Sequence, residues 1–270
     1  MHRRDLLKMV AFSALPSTVH LPVSRPLARV GVQLYTLRDL MQSDAQRTLE
    51  RVAALGCQEV EFAGYFDHPP KRLRRWLDDA GLTAPAAHLP LDNPQLDLAA
   101  TLDTAAILGH SYIVLASLPL LERSTQDFRR AAHRLNRIGS LARARGIRAA
   151  YHNHDFEFKE ISGQHPYTVL VEETDPALVA MEMDVYWMTK AGEDPLAYFH
   201  KYPGRFHLCH LKDMDQKRRI TEVGGGVIDF PKILAARESA GFRHFFIEHD
   251  NPRDALASVH SSLKYLNRLR

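Results

Sequence analysis

Cysteine is scarce in this chain. There are two in 270 residues, Cys57 and Cys209, far apart and each in an apolar, strand-like setting. That excludes a disulfide-stapled scaffold and predicts two buried thiols. A membrane-spanning run is also missing, since the apolar stretch from Met9 to Leu15 is too short to cross a bilayer. Nor is there a large excess of charge. The formal net charge is +3, and 31 of the 35 basic and 31 of the 32 acidic residues lie after residue 28. The body of the protein is therefore near neutral, which argues against a surface that tracks nucleic acid. Its longest basic run, Lys217-Arg218-Arg219, is short and reads as a solvated loop.

What the chain does have begins with a basic N-terminus. Arg3-Arg4-Asp5-Leu6-Leu7-Lys8, followed by the short apolar stretch, is similar to a twin-arginine export signal. Residues 1–28 are therefore expected to direct export to the periplasm and to leave no membrane anchor once removed. No clean Ala-x-Ala cleavage site marks where the cut would fall.

From residue 29 onward the hydrophobic period switches repeatedly between two and 3.6. Strands are expected at Val30–Tyr35, Glu59–Ala63, Ala84–His88, Tyr112–Ala116, Ile147–His152, Leu178–Asp184, Arg205–Leu211 and His244–Glu248. Helices are expected at Asp44–Leu55, Pro70–Ala80, Leu96–Leu108, Thr125–Arg145 and Tyr167–Glu173, from Pro195, and at Phe230–Ala240 and Arg253–Leu269. Gly56, Gly81, Gly109, Gly146 and Gly241 stand as helix stops. Eight strand–helix units in about 240 residues predict a single-domain α/β protein, a (β/α)8 TIM barrel. A doubly wound sheet would carry a glycine-rich phosphate loop after its first strand, and Gln33-Leu34-Tyr35-Thr36-Leu37-Arg38 has none.

Four of the expected strands stop on, or beside, a metal-capable side chain: His152, Asp184, His210 and Glu248. One such residue has an ordinary explanation, because an Asp after a strand is commonly a helix cap and a His in a strand a hydrogen-bonded core residue. Several at strand ends that open on one face point to a shared site for a divalent ion such as Mn, Co, Mg or Zn. The strand-five ligand is either His152 or Glu157, which could reach back from a turn. His154 shares a face with His152 and is a candidate contact for a substrate hydroxyl. Glu61, His88, Lys212 and Trp187 are further candidate substrate contacts at the same mouth.

At these residues the chain resembles a known group. Tyr151-His152-Asn153-His154-Asp155-Phe156-Glu157-Phe158 resembles the xylose isomerase-like TIM-barrel superfamily, the sugar phosphate isomerase/epimerase group. So do Met183-Asp184-Val185-Tyr186-Trp187, His210-Leu211-Lys212-Asp213, Val223-Gly224-Gly225-Gly226-Val227-Ile228-Asp229-Phe230 and Ile247-Glu248-His249-Asp250. The resemblance runs in order over about residues 30–269. It implies one divalent ion, with Mn preferred, and the rearrangement of a sugar or cyclitol next to a carbonyl. The group's pattern of Glu, Asp, His and Glu at the ends of strands five to eight matches Asp184, His210 and Glu248 here. It departs at His152, where many epimerases carry the second of two acid–base glutamates. That departure argues against two-carboxylate epimerisation and is similar to the inosose dehydratase branch. The endonuclease IV branch needs further His ligands where this chain has Trp187 and Asp213-Met214-Asp215, so DNA cleavage is not implied.

The expected function is a metal-dependent isomerase or epimerase acting on a sugar or keto-sugar through an ene-diolate. Glu248 would be the base, and His152 or His154 the partner acid. The alternatives are a lyase eliminating water or an alkoxide next to a ketone, and a non-catalytic sugar-binding barrel. The expected partner is a small sugar, and self-association into a homo-oligomer stays open.

Overall fold

The computed structural model describes residues 29–269 other than 120 and 122. The expected export segment, residues 1–28, lies outside the described residues. Eight parallel strands close into a barrel: β1 Gly31–Gln33, β2 Glu59–Ala63, β3 Thr83–Leu89, β4 Tyr112–Leu115, β5 Arg148–His152, β6 Val179–Asp184, β7 Phe206–Leu211 and β8 His244–Ile247. Each strand pairs with its chain neighbours, and β8 pairs with β1 to complete the ring. The (β/α)8 expectation therefore stands.

Strand period two decides what lies inside. Outward positions such as Tyr151, Met181, Met183, Cys209 and Ile247 are buried against the helices. Each large apolar side chain buried there stabilises the fold by roughly 1.5–3 kcal/mol. Inward positions form a smaller apolar plug of Ala86, Tyr112, Val114, Ala150, Ala180, Leu208 and Phe246. Its three alanines leave room for the Phe246 and Tyr112 rings. Gly31 of β1 serves the same closure, because a Cβ there would lie 2.8 Å from the Glu59 carbonyl oxygen and 2.7 Å from the Phe246 ring.

Along β3, β5, β6, β7 and β8 the next inward residue after the plug is polar. His88 follows Ala86, His152 follows Ala150, Glu182 follows Ala180, His210 follows Leu208 and Glu248 follows Phe246. The barrel thus changes from dry core to polar mouth within one step of the pleat.

The helices form around this ring. α2 Pro70–Ala80 has the expected bounds, and α3 Leu98–Leu108 is capped by the Asp97 side chain on the Ala100 N–H. α3 stops at Gly109 in the left-handed region. α4 Thr125–Ala142 starts with a capping box between Ser124 and Asp127.

Four expectations need correction. The first strand ends at Gln33, because Leu34–Leu37 turn into a 3-10 helix that runs into α1 Arg38–Ala54. The expected helix start, Asp44, is a kink inside α1 at φ −156°. An additional helix, α6 Val185–Ala191, follows β6 at once and precedes α7 Pro195–Lys201; α5 is Pro166–Glu173. The expected helix over 230–240 is two pieces, α8 Phe230–Ala235 and α9 Arg237–Ala240, before the closing α10 Ala255–Leu266. A short antiparallel ribbon, Asp213–Met214 with Ile220–Thr221, sits beyond β7. Both cysteines are buried and free, and burial pushes the Cys57 thiol up to about 12.

Candidate active site

The ends of β5, β6, β7 and β8 bring His152, Asp184, His210 and Glu248 together, with one potential ligand atom from each within 4.8 Å of all the others. His152 Nε2 lies 3.5 Å from Asp184 Oδ2, and His210 Nδ1 lies 2.9 Å from Glu248 Oε2 and 3.9 Å from Asp184 Oδ2. Asp184 and His210 are fully buried, His152 is 3% exposed, and Glu248 at 6% is the most accessible of the four. Asp184 Oδ1 is already used, since it accepts the Trp187 N–H at 2.9 Å and starts α6. Its other oxygen is turned to the cluster. The Asn153 amide fixes the strand end by donating to the Asp184 carbonyl at 3.1 Å and accepting the Asp184 N–H at 3.0 Å.

These residues fit a cation. His152 Nδ1 lies 3.1 Å from the Ala116 carbonyl, a contact only an N–H can satisfy. Burial keeps the His152 ring less basic than usual, so its Nε2 carries a lone pair. That atom is buried without a hydrogen-bond partner, and Asp184 Oδ2 has only the Lys212 ammonium, 3.0 Å away. Two acceptors facing each other at 3.5 Å repel unless something positive lies between them. The spacing is close to the ~3.4 Å between two ligands each about 2.1 Å from one tetrahedral ion.

Lys212 supplies positive charge at the same place, with Nζ 2.7 Å from Glu248 Oε2, 3.0 Å from Asp184 Oδ2 and 2.7 Å from Asp250 Oδ1. Burial alone would lower its basicity, but the three carboxylates outweigh that and hold it well above the usual lysine range. The Glu248 carboxyl, despite a burial effect that would raise it, is held well below the usual range by Lys212 and His210. Glu248 is thus an ionised carboxylate at neutral pH.

A second group lies behind the first. Glu61, His88, Glu182 and His210 also cluster. His210 Nε2 is 2.6 Å from Glu61 Oε2 and 3.3 Å from Glu182 Oε1, and His88 Nε2 is 2.6 Å from Glu182 Oε2. Contacts of 2.6 Å are charge-assisted hydrogen bonds and are too short for two ligands of one ion. Burial and the charge of Glu182 push the Glu61 carboxyl up to about 7. Glu182 itself is held well below the usual range, because His210 and His88 overcome the effect of its burial. His210 is held well above the usual range by Glu182, Glu248 and Glu61 against its burial.

A cleft of about 320 Å³ opens over the first cluster, lined by His88, His152, His154, Trp187, Lys212 and Glu248 among others. It is at the small end of ligand pockets, which span about 300–1,000 Å³, and suits one sugar ring. Tyr35 and Asp250, not singled out from sequence, also line it. Trp187 Nε1 and His154 Nδ1 are buried without partners. Burial, with His152 and Lys212 nearby, lowers His154 to about 2, so it is a neutral imidazole. A larger cavity of about 420 Å³ lies on the flank against α4. It holds none of His152, Asp184, His210 and Glu248, and its Arg130 and Arg134 are engaged by Asp127 and the Asp92 carbonyl.

Two sequence-based placements change. Glu157 does not join the cation cluster. Tyr151 donates to its Oε1 at 2.8 Å and the His154 N–H to its Oε2 at 2.9 Å, and burial pushes it up to about 8. It braces the His154 turn, and of the two alternatives only His152 faces Asp184. Glu61 is fully buried and bonded to His210, and does not line the cleft as a sugar contact would. Glu182 was not singled out from sequence, although Glu182 and Asp184 at i and i+2 in a buried strand must share one face. Asp213 was quoted only within a motif. It accepts the N–H groups of Met214, Gly224, Gly226 and Ile228 and so ties the glycine-rich loop to the end of β7.

Comparison with known proteins adds to this geometry. The family model described as xylose isomerase-like TIM barrel matches residues 49–269. An inosose dehydratase from Bacillus cereus is 26% identical over 184 residues, which is 60% of this chain and 61% of that protein. The chain thus spans about three fifths of the length of the curated relatives it matches. The structure of a sugar phosphate isomerase/epimerase from Parabacteroides distasonis superposes with a TM-score of 0.77 at 27% identity, covering 88% of this chain and 93% of the other. A probable 3-DHS dehydratase from Bacillus anthracis shares the fold at a TM-score of 0.70 and 14% identity, over 88% and 98% of the two chains.

Proposed function

Because the chain belongs to the xylose isomerase-like TIM-barrel family, we propose that it is a metal-dependent enzyme that withdraws the proton next to the carbonyl of a sugar or keto-sugar. The observation that carries this reading is the pair of facing acceptors at the mouth of the barrel, His152 Nε2, which has no hydrogen-bond partner, and Asp184 Oδ2, 3.5 Å from it. His152, Asp184, His210 and Glu248 would hold one divalent ion. Mn is preferred, and the mixed nitrogen and oxygen donors also suit Co, Zn or Mg. Bound there, the ion would polarise a carbonyl and its neighbouring hydroxyl and lower the cost of the negative charge that develops between them.

The protein's own groups do the rest. Glu248 takes the α-proton, being ionised and the most accessible member of the cluster. The Lys212 ammonium lies against that carboxylate and offsets charge as it develops. Trp187 gives the ring an apolar wall, and its free indole N–H a hydroxyl partner. One carboxylate suffices to carry a proton from one carbon to its neighbour, so isomerisation is the leading reading. Epimerisation needs a second proton carrier, and the cleft offers the neutral imidazole of His154 for it.

One observation favours a second reading, elimination. The residue at the β5 end is an imidazole, which does not offer the second carboxylate of a two-glutamate epimerase. Loss of a β-hydroxyl or alkoxide needs only Glu248 as base and a donor, Lys212 or His154, for the leaving oxygen. The curated relatives bear the name inosose dehydratase. Export through residues 1–28 belongs to the same proposal and would place the enzyme among unphosphorylated sugars of the periplasm.

The test is incubation of metal-loaded protein in D2O with ketoses, aldoses and 3-keto-glycosides, followed by NMR. Deuterium entering the carbon next to the carbonyl is the expected result. An isomer carrying that label supports isomerisation, and an unsaturated ketone supports elimination. Tight binding of a sugar with no exchange in any substrate of the panel would make the barrel a binding protein.

A further inference from the structure

His210 has two ring nitrogens, and the fold uses both. Nδ1 faces Glu248 and Asp184, where the cation of the proposed function would sit. Nε2 faces the buried Glu61 carboxyl, 2.6 Å from its Oε2. Glu61 is fully buried on β2, which is separated from β7 in the ring by β1 and β8. A carboxylate buried there needs a partner, and its Oε2 contact at 2.6 Å is with His210. Its Oε1 has no hydrogen-bond partner. Glu182, also fully buried, holds His88 at 2.6 Å. The His88 ring is stacked on that of His210, with centroids 5.3 Å apart and planes 17° apart. Glu61 is therefore the nearer of two carboxylates on the His210 Nε2, at 2.6 Å against 3.3 Å for Glu182 Oε1, and Glu182 also fixes the ring that lies against the His210 face.

We propose that Glu61 is a positioning residue for His210: it takes the Nε2–H, so that Nδ1 is left as the ligand atom facing Asp184 and Glu248, while the Glu182–His88 pair braces the ring plane. This inference rests on the metal reading above and extends it to residues that do not touch the ion. A carboxylate behind a ligating histidine fixes the tautomer and makes the ligand nitrogen more electron-rich. Loss of such a partner typically lowers metal affinity 10–100-fold.

The substitutions that separate positioning from packing are Glu61→Met and Glu61→Gln. Met fills the space with no acceptor. Gln keeps an oxygen that accepts Nε2–H. Co²⁺ affinity is measured by competition with a chromophoric chelator, the ligand field by the visible absorption of the Co²⁺ protein, and folding by thermal unfolding of the metal-free proteins. The expected result is a 10–100-fold weaker Co²⁺ dissociation constant and an altered visible spectrum for Glu61→Met. Glu61→Gln should lie within a few-fold of wild type, and neither metal-free variant should unfold at a lower temperature than wild type. If wild type and Glu61→Met bind Co²⁺ equally with the same spectrum, the positioning role is overturned while the metal site stands. If wild type binds no Co²⁺, both fall. Should Glu61→Met fail to fold, Glu182→Gln and His88→Phe carry the test, because the brace predicts weaker Co²⁺ binding in both. Wild-type affinity in that pair would overturn the proposal.

Discussion

Glu248→Gln is expected to abolish exchange of the substrate's α-proton, by at least the roughly 10²–10⁴-fold that loss of one general base costs. The substitution keeps the shape of the side chain and an oxygen that can face the cation. It removes the charge that the base needs and that pairs with Lys212 Nζ at 2.7 Å. Lys212 retains Asp184 and Asp250 as partners, so the mouth should not collapse. The measurement is the rate of deuterium incorporation per metal-loaded chain. Exchange at the wild-type rate with metal retained would show that the proton goes elsewhere, and the next candidate would be His154.

Asp184→Ala is expected to lose both metal and turnover, because Asp184 joins two tasks. Oδ2 faces the cluster, and Oδ1 caps α6 through the Trp187 N–H. Loss of the cap alone costs about 0.5–2 kcal/mol, which is visible in thermal unfolding. Asp184→Asn separates the tasks, since its amide oxygen can still cap while the ligand charge is gone. Metal analysis and unfolding temperature together make the check. Asn should unfold near wild type yet hold metal weakly, and Ala should fail on both counts. Full metal content in both variants would place the ion away from Asp184.

The barrel was legible because period two and period 3.6 alternate so regularly and because glycines such as Gly109 stop the helices. The strand-end residues were legible for a related reason: an apolar run that ends on His152, Asp184, His210 or Glu248 must deliver that side chain to the open end. What lay one pleat deeper was harder to see. Glu182 sits inside its strand, where apolar residues are expected, and Glu61, although a candidate from sequence, finds its partner His210 on a strand that is not its neighbour. Glu157 misled because proximity in sequence to His152 says nothing of direction; Tyr151, facing the helices, draws its carboxylate outward. The helix Val185–Ala191 was missed because it is only seven residues long and starts on the same Asp184 that closes the strand. Asp213 shows the same limit, since three of its four backbone partners, Gly224, Gly226 and Ile228, come from a loop that has no periodic signal.

The most direct test is anomalous diffraction from crystals grown with Mn²⁺. The expected result is one strong peak at the barrel mouth, about 2.0–2.3 Å from His152 Nε2, Asp184 Oδ2, His210 Nδ1 and a Glu248 oxygen, within the range of ordinary metal–ligand bonds. A peak among Glu61, His88 and Glu182 instead, or no peak at the mouth with Lys212 still bridging Asp184 and Glu248, would contradict the metal-centred chemistry on which the proposed reaction depends.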